Sequence, residues 1–127
     1  MNFEQGTVER REHKRFNVKK GIFAVLGTDN FVLGQIKNIS MRGLAFEFPD
    51  TGVRVAGSTE MEIFSKIYDY YLKKIPIKII EDYEVERNVA FSSLPIRRLS
   101  IQFGKISSAQ RLLLDHFLQN YTNEQKS

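Results

Sequence analysis

Residues 38–48 read Asn38-Ile39-Ser40-Met41-Arg42-Gly43-Leu44-Ala45-Phe46-Glu47-Phe48, and the second half of this stretch decides the fold. From Gly43 onward the side chains alternate, with Leu44, Phe46 and Phe48 on one face and Ala45 and Glu47 on the other. A period of two is that of a strand with one face buried. Pro49-Asp50-Thr51-Gly52 then ends it, because proline cannot donate to a ladder and its three neighbours favour turns. The same signal recurs on both sides. Upstream, residues 16–26 are rich in β-formers, meet Gly27-Thr28-Asp29-Asn30, and give way to a second run over 31–39, which predicts a hairpin. Downstream, residues 59–64 place Met61 and Ile63 together, residues 75–83 do so with Ile75, Ile77 and Ile79, and residues 98–103 with Leu99, Ile101 and Phe103. Six short segments of this kind, with no helical pattern between them, predict an all-β antiparallel sheet. It must curl into a barrel or sandwich to bury its apolar face.

The period changes once. Ser107 with Gln110 three positions on matches a capping box, and Leu113, Leu114, Phe117, Leu118 and Tyr121 recur at helical spacing. A C-terminal helix over 107–121, packed on the sheet, is expected. Residues 1–15 carry no sustained period and are expected to form a flexible arm, and 122–127 a disordered tail. With 127 residues, 42% of them hydrophobic and ten of them Phe, one globular domain over 16–121 fits.

Charge is uneven. The net charge is +4, yet residues 10–20 hold six basic side chains, Arg10, Arg11, Lys14, Arg15, Lys19 and Lys20, against Glu12. The rest of the chain is near neutral, which points to a localised anion-binding surface or to a solvated basic arm rather than to a protein that coats nucleic acid. The absence of cysteine removes disulfides, thiolate nucleophiles and thiolate metal sites, and suits a reducing compartment. No signal-peptide pattern is present, and the longest apolar run, 22–26, is far short of the ~20 residues a membrane helix needs, so a cytoplasmic location is expected. His13 and His116 are the two histidines. His116 adjoins Asp115 on the predicted helix, but neighbours at i and i+1 point apart and make no dyad. Without a phosphate-binding glycine loop, a zinc-protease motif or a serine elbow, neither an enzyme nor a metal or cofactor is expected.

Two motifs remain. Arg11 and Arg15 stand in an R-x-x-x-R spacing ahead of the first strand, and Asn38, Ser40 and Gly43 form N-x-S-x-x-G between the second and third. In an antiparallel sheet those two ends can share a rim, so the motifs can form one site. Their residue types suit a guanine nucleotide. A guanidinium engages phosphate through two parallel hydrogen bonds, takes O6 and N7 of guanine in the same fork, and stacks on a purine face. The Asn38 amide offers an acceptor and donors to a base edge, the Ser40 hydroxyl can serve phosphate or base, and Gly43 allows a tight turn with no Cβ in the ligand's way. Read singly, Asn38 and Ser40 also suit a β-turn closed through their side chains, and Gly43 a bulge. Arg42 is either a solvent-facing residue or a further contact at the rim. Tyr68, Tyr70 and Tyr71 with Lys73 and Lys74 are either a partner-binding loop or sheet-surface packing.

Together, in this order and separation, the motifs resemble those of the PilZ domain, whose RxxxR and (D/N)xSxxG pair is its signature for binding the bacterial second messenger cyclic di-GMP. The resemblance covers residues 9–121. It implies a six-stranded antiparallel β-barrel with the helix beside it, no catalysis, and a ligand held between the N-terminal arm and the barrel. Carried to this chain, it implies that Arg11 and Arg15 hold phosphate and guanine, that Asn38 and Ser40 read a guanine edge, and that Gly43 shapes the turn. Arg10 is an extra ligand-binding arginine ahead of the motif, and from it two stacked cyclic di-GMP molecules per domain are expected. Ser100 stands where many members carry glycine. The expected role is a receptor or adaptor whose arm orders over the ligand and changes the surface seen by a downstream protein that the sequence does not name. Two rivals are a barrel that binds single-stranded nucleic acid through basic and aromatic side chains, and a ligand-free structural interaction module.

Overall fold

The computed structural model describes residues 14–27, 30–85 and 94–124. Their order is β1 (Phe16–Val18), β2 (Phe23–Leu26), β3 (Val32–Ile39), β4 (Gly43–Pro49), β5 (Glu60–Ser65), β6 (Tyr70–Val85), β7 (Ile96–Phe103), α1 (Ser108–Asn120) and β8 (Thr122–Glu124). Strands β2, β5, β6, β7, β4 and β3 pair in that sequence, and β3 pairs back onto β2, which closes a six-stranded barrel with every contact antiparallel. β1 and β8 extend outward from β3.

The alternation sorts side chains as expected. Leu44, Phe46 and Phe48 join Met61, Ile63, Ile75, Ile77, Leu99, Ile101 and Phe103 in one buried cluster. Ala45, expected on the outer face, is buried too.

The predicted first strand, 16–26, is two strands. β1 pairs with Asn38 and Ile39, β2 with Val32 to Gln35, and both lie along the same edge of β3. Between them the chain turns out at Gly21, whose φ of +87° favours a residue without Cβ. The predicted strand over 75–83 runs from Tyr70 to Val85, with two breaks of register. The first falls at Lys73 and Lys74, where Lys74 has φ of +55°.

That first break is where the helix docks. Ser107 caps α1, its Oγ accepting from the Gln110 backbone N–H at 3.1 Å while Gln110 Oε1 accepts from the Ser107 N–H at 2.9 Å. Gln110 Nε2 also donates to the carbonyl oxygens of Lys73 at 3.1 Å and Lys74 at 2.8 Å. One side chain thus completes the capping box and satisfies the carbonyls that the irregular strand presents.

On the buried face of α1, Leu114 and Phe117 are core residues, and Leu118 and Tyr121 are partly covered. Leu113 is 41% exposed, so the apolar stripe is one residue narrower than its spacing predicts. Its carbonyl instead accepts from the Tyr70 hydroxyl at 2.8 Å. Tyr70 is buried against Phe117 and Tyr121, with ring centroids 5.2 and 5.5 Å away, and burial pushes its phenol well above the usual range. The three tyrosines therefore part company. Tyr70 is core, Tyr68 packs on Tyr121 at 4.7 Å, and Tyr71 lies outside, donating to Glu62 Oε1 at 2.9 Å.

The expected disordered tail needs correction at its start. Thr122–Glu124 pairs with β1, Val18 facing Thr122 and Phe16 facing Glu124, and the Lys19 N–H donates to the Tyr121 carbonyl at 2.9 Å. Backbone pairing along an open edge asks for no side-chain pattern, so nothing in Thr-Asn-Glu announced it. Residues 125–127 and the predicted arm before Lys14 lie outside the described residues. Among the described residues no helix is long and apolar enough to cross a membrane.

Phe117 and Leu113 give a direct test of how α1 docks. Phe117→Ala should cost about 3–5 kcal/mol in urea unfolding, as for a truncated core aromatic, and Leu113→Ala under about 1 kcal/mol.

Candidate functional site

Asn17 faces Asn38 and Phe16 faces Ile39, so the residue before β1 arrives at the end of β3. Arg15 is that residue. Its Nη1 donates to Asn38 Oδ1 at 2.6 Å, across 23 positions of sequence. Asn38 is 8% exposed, so β3 presents its amide in a fixed orientation, while the arginine stem reaches in from solvent.

The β3–β4 turn is closed by Ser40. Its backbone N–H donates to the Gly43 carbonyl at 2.8 Å, and its Oγ accepts from the Arg42 N–H at 3.1 Å and donates toward the Gly43 carbonyl at 3.4 Å. At 1% exposure, that hydroxyl has committed its proton to the turn. The Phe103 N–H donates to the Arg42 carbonyl at 2.8 Å and pins the turn to β7. Gly43 is demanded by β7 as well: a Cβ there would collide with the carbonyl oxygen of Ile101, a backbone atom with no freedom to yield.

Beside this turn lies an open cleft of about 400 Å³. Arg15 borders it from the root of β1, Ser40, Arg42 and Gly43 from the turn, Ile80 and Glu81 from β6, and Ser100 and Gln102 from β7. Of the residues singled out in the sequence, Arg15, Ser40, Arg42 and Gly43 meet here, and Asn38 holds Arg15 at the wall. Arg42 is thus at the rim. Arg10 and Arg11 lie outside the described residues. Ser100 donates from Oγ to Glu81 Oε1 at 3.1 Å.

Ile80, Glu81 and Gln102 were not foreseen. β6 reaches the cleft through its second register break, between Ile79 and Glu81. The available signal was the pair Ile79-Ile80, where the alternation of Ile75, Ile77 and Ile79 gains one residue.

The PilZ domain family model matches residues 9–120, and the chain belongs to that family. Its structure is similar to that of the PilZ domain of YcgR from Escherichia coli, solved with cyclic di-GMP. The TM-score is 0.65 at 12% sequence identity, over 87% of this chain and 90% of that one. No curated protein matches the chain. The likeness is one of fold, and the expected six-stranded barrel with a terminal helix is the fold observed.

Because Gly43 answers to β7, Gly43→Ala should damage the barrel itself. Thermal unfolding without any ligand should give a stability lower by about 1–3 kcal/mol, the usual cost of forcing an extra group into a packed interface.

Proposed function

We propose that this chain is a non-catalytic receptor for cyclic di-GMP, and that the ligand lies between the basic segment at residues 10–15 and the turn at residues 38–43. The observation that carries this reading is the 2.6 Å bond from Arg15 to Asn38, which joins the two halves of the motif pair at one rim. Family membership supports it, as does the cyclic di-GMP with which the similar YcgR domain was solved.

The chemistry is that of a doubly charged, purine-bearing anion. A guanidinium has five N–H donors, so Arg15 keeps several for phosphate or for guanine O6 and N7 after bonding Asn38. Arg10 and Arg11 add charge and planar stacking surface on the same segment of sequence, and Arg42 borders the cleft from the turn. With that much guanidinium, two stacked cyclic di-GMP molecules per domain are the proposed load.

Ligand binding ties residues 10–15 to the barrel. β1 follows directly and lies between β3 and β8, so a restraint at Arg15 bears on the C-terminal end of α1. Through that end the bound state is offered to a partner protein.

Titration calorimetry with cyclic di-GMP, GTP, cyclic GMP and a short oligonucleotide tests the reading. Cyclic di-GMP should bind with two molecules per chain and the others poorly. Arg15→Ala should lose about tenfold to a hundredfold in affinity, the worth of a hydrogen bond to a charged group, with an unchanged circular dichroism spectrum. Preferred binding of the oligonucleotide, with affinity that grows with length and collapses with salt, would overturn it.

A further inference from the structure

Ile79 of β6 lies opposite Ile101, and Glu81 lies opposite Ser100. Two steps of β6 therefore span one step of β7, with Ile80 as the extra residue. In an unbroken strand Glu81 would share the face of Ile77 and Ile79, toward the apolar interior. The bulge turns Glu81 to the outer surface, where it lines the cleft that Arg15 and Arg42 also border.

A carboxylate is a poor choice for a site that binds phosphate alone, since it offsets the positive field of the arginines. It is the right choice for one edge of guanine. N1–H and the exocyclic N2–H of that base are parallel donors, which the two oxygens of one carboxylate accept together. Adenine presents a lone pair at N1 on the same edge and repels it. Of the other acceptors on the rim, the Asn38 amide oxygen is bonded to Arg15 and the Ser40 oxygen to the turn, and the Gln102 side chain offers one amide oxygen rather than a charged pair. Glu81 keeps a second oxygen beyond its bond to Ser100.

We infer that Glu81 is a base-reading residue of this cleft: held by the Ser100 hydroxyl, its carboxylate accepts the N1–H and N2–H of a guanine whose phosphates face the arginines, and so selects guanine over adenine. This rests on the proposal that the cleft takes a cyclic dinucleotide. Ser100 is then a positioning residue, and a glycine in its place would leave the carboxylate without that anchor.

The test is titration of the full chain with cyclic di-GMP and cyclic di-AMP, using the parent, Glu81→Gln and Ser100→Ala. Glu81 is exposed, so neither folding nor barrel stability is at stake in its substitution. Glu81→Gln should lose about tenfold to a hundredfold for cyclic di-GMP, as one acceptor becomes a donor facing donors. Binding of cyclic di-AMP should hold or improve, because the glutamine amide matches the adenine edge. Ser100→Ala should show a smaller loss in the same direction. A Glu81→Gln variant that binds cyclic di-GMP as tightly as the parent or more tightly, as removal of a simple repulsion would give, overturns the inference while the receptor reading stands. Equal losses for both nucleotides would overturn it as well. A parent chain that binds no cyclic di-GMP removes the receptor reading and this inference together.

Discussion

The pairing of β1 on β3 spans only Phe16 with Ile39 and Asn17 with Asn38, yet it decides where Arg15 meets the barrel. So short a ladder needs outside help, because each ordered residue costs about 1–2 kcal/mol of backbone entropy against a net gain near 1 kcal/mol per hydrogen bond. The help comes from three places. β8 covers the other edge of β1, the Lys19 N–H holds the Tyr121 carbonyl, and Arg15 bonds Asn38. β8 in turn follows directly from α1, which is fixed by Phe117 in the core and by Gln110 on the carbonyls of β6. The cleft therefore depends on the C-terminal helix, although no residue of that helix lines it.

β6 serves both ends of this arrangement through its irregularities. At Lys73 and Lys74 the strand presents two carbonyls to the helix, and between Ile79 and Glu81 it presents a carboxylate to the cleft. A barrel with strict alternation in β6 would send Glu81 toward Ile77 and Ile101, where an unpaired charge is untenable. The bulge reconciles the closed core with a polar rim.

Much of this was legible in the sequence wherever a side chain has one acceptable face. Leu44, Phe46 and Phe48, and likewise Leu99, Ile101 and Phe103, mark the barrel interior, and Ser107 with Gln110 marks the helix start. The meeting of Arg15 with Asn38 followed from two motifs at the ends of antiparallel strands. What escaped is set by backbone geometry. Residues 16–26 are β-formers throughout, so the excursion at Gly21 leaves no trace in hydropathy, and β8 forms from residues with no strand signature. Strict alternation from Ile75 would send Glu81 inward, and its outward placement follows only once the bulge at Ile80 is set opposite Ser100. The steric need at Gly43 belongs to β7, a strand nearly sixty residues away in sequence, which no local reading reaches.

The central claim is that leader, turn and β7 form one binding surface around Arg15 and Asn38. Amide chemical shifts of the isotope-labelled chain, followed by NMR as cyclic di-GMP is added, address it directly. The account predicts that the largest shifts cluster at Arg15, Asn38 to Gly43, and Ser100 to Gln102, with little change at Gly27, Gly57 and Ser58, which border a separate hollow. Shifts centred on Gly27, Gly57 and Ser58, with Arg15 and Asn38 unmoved at saturation, would contradict it.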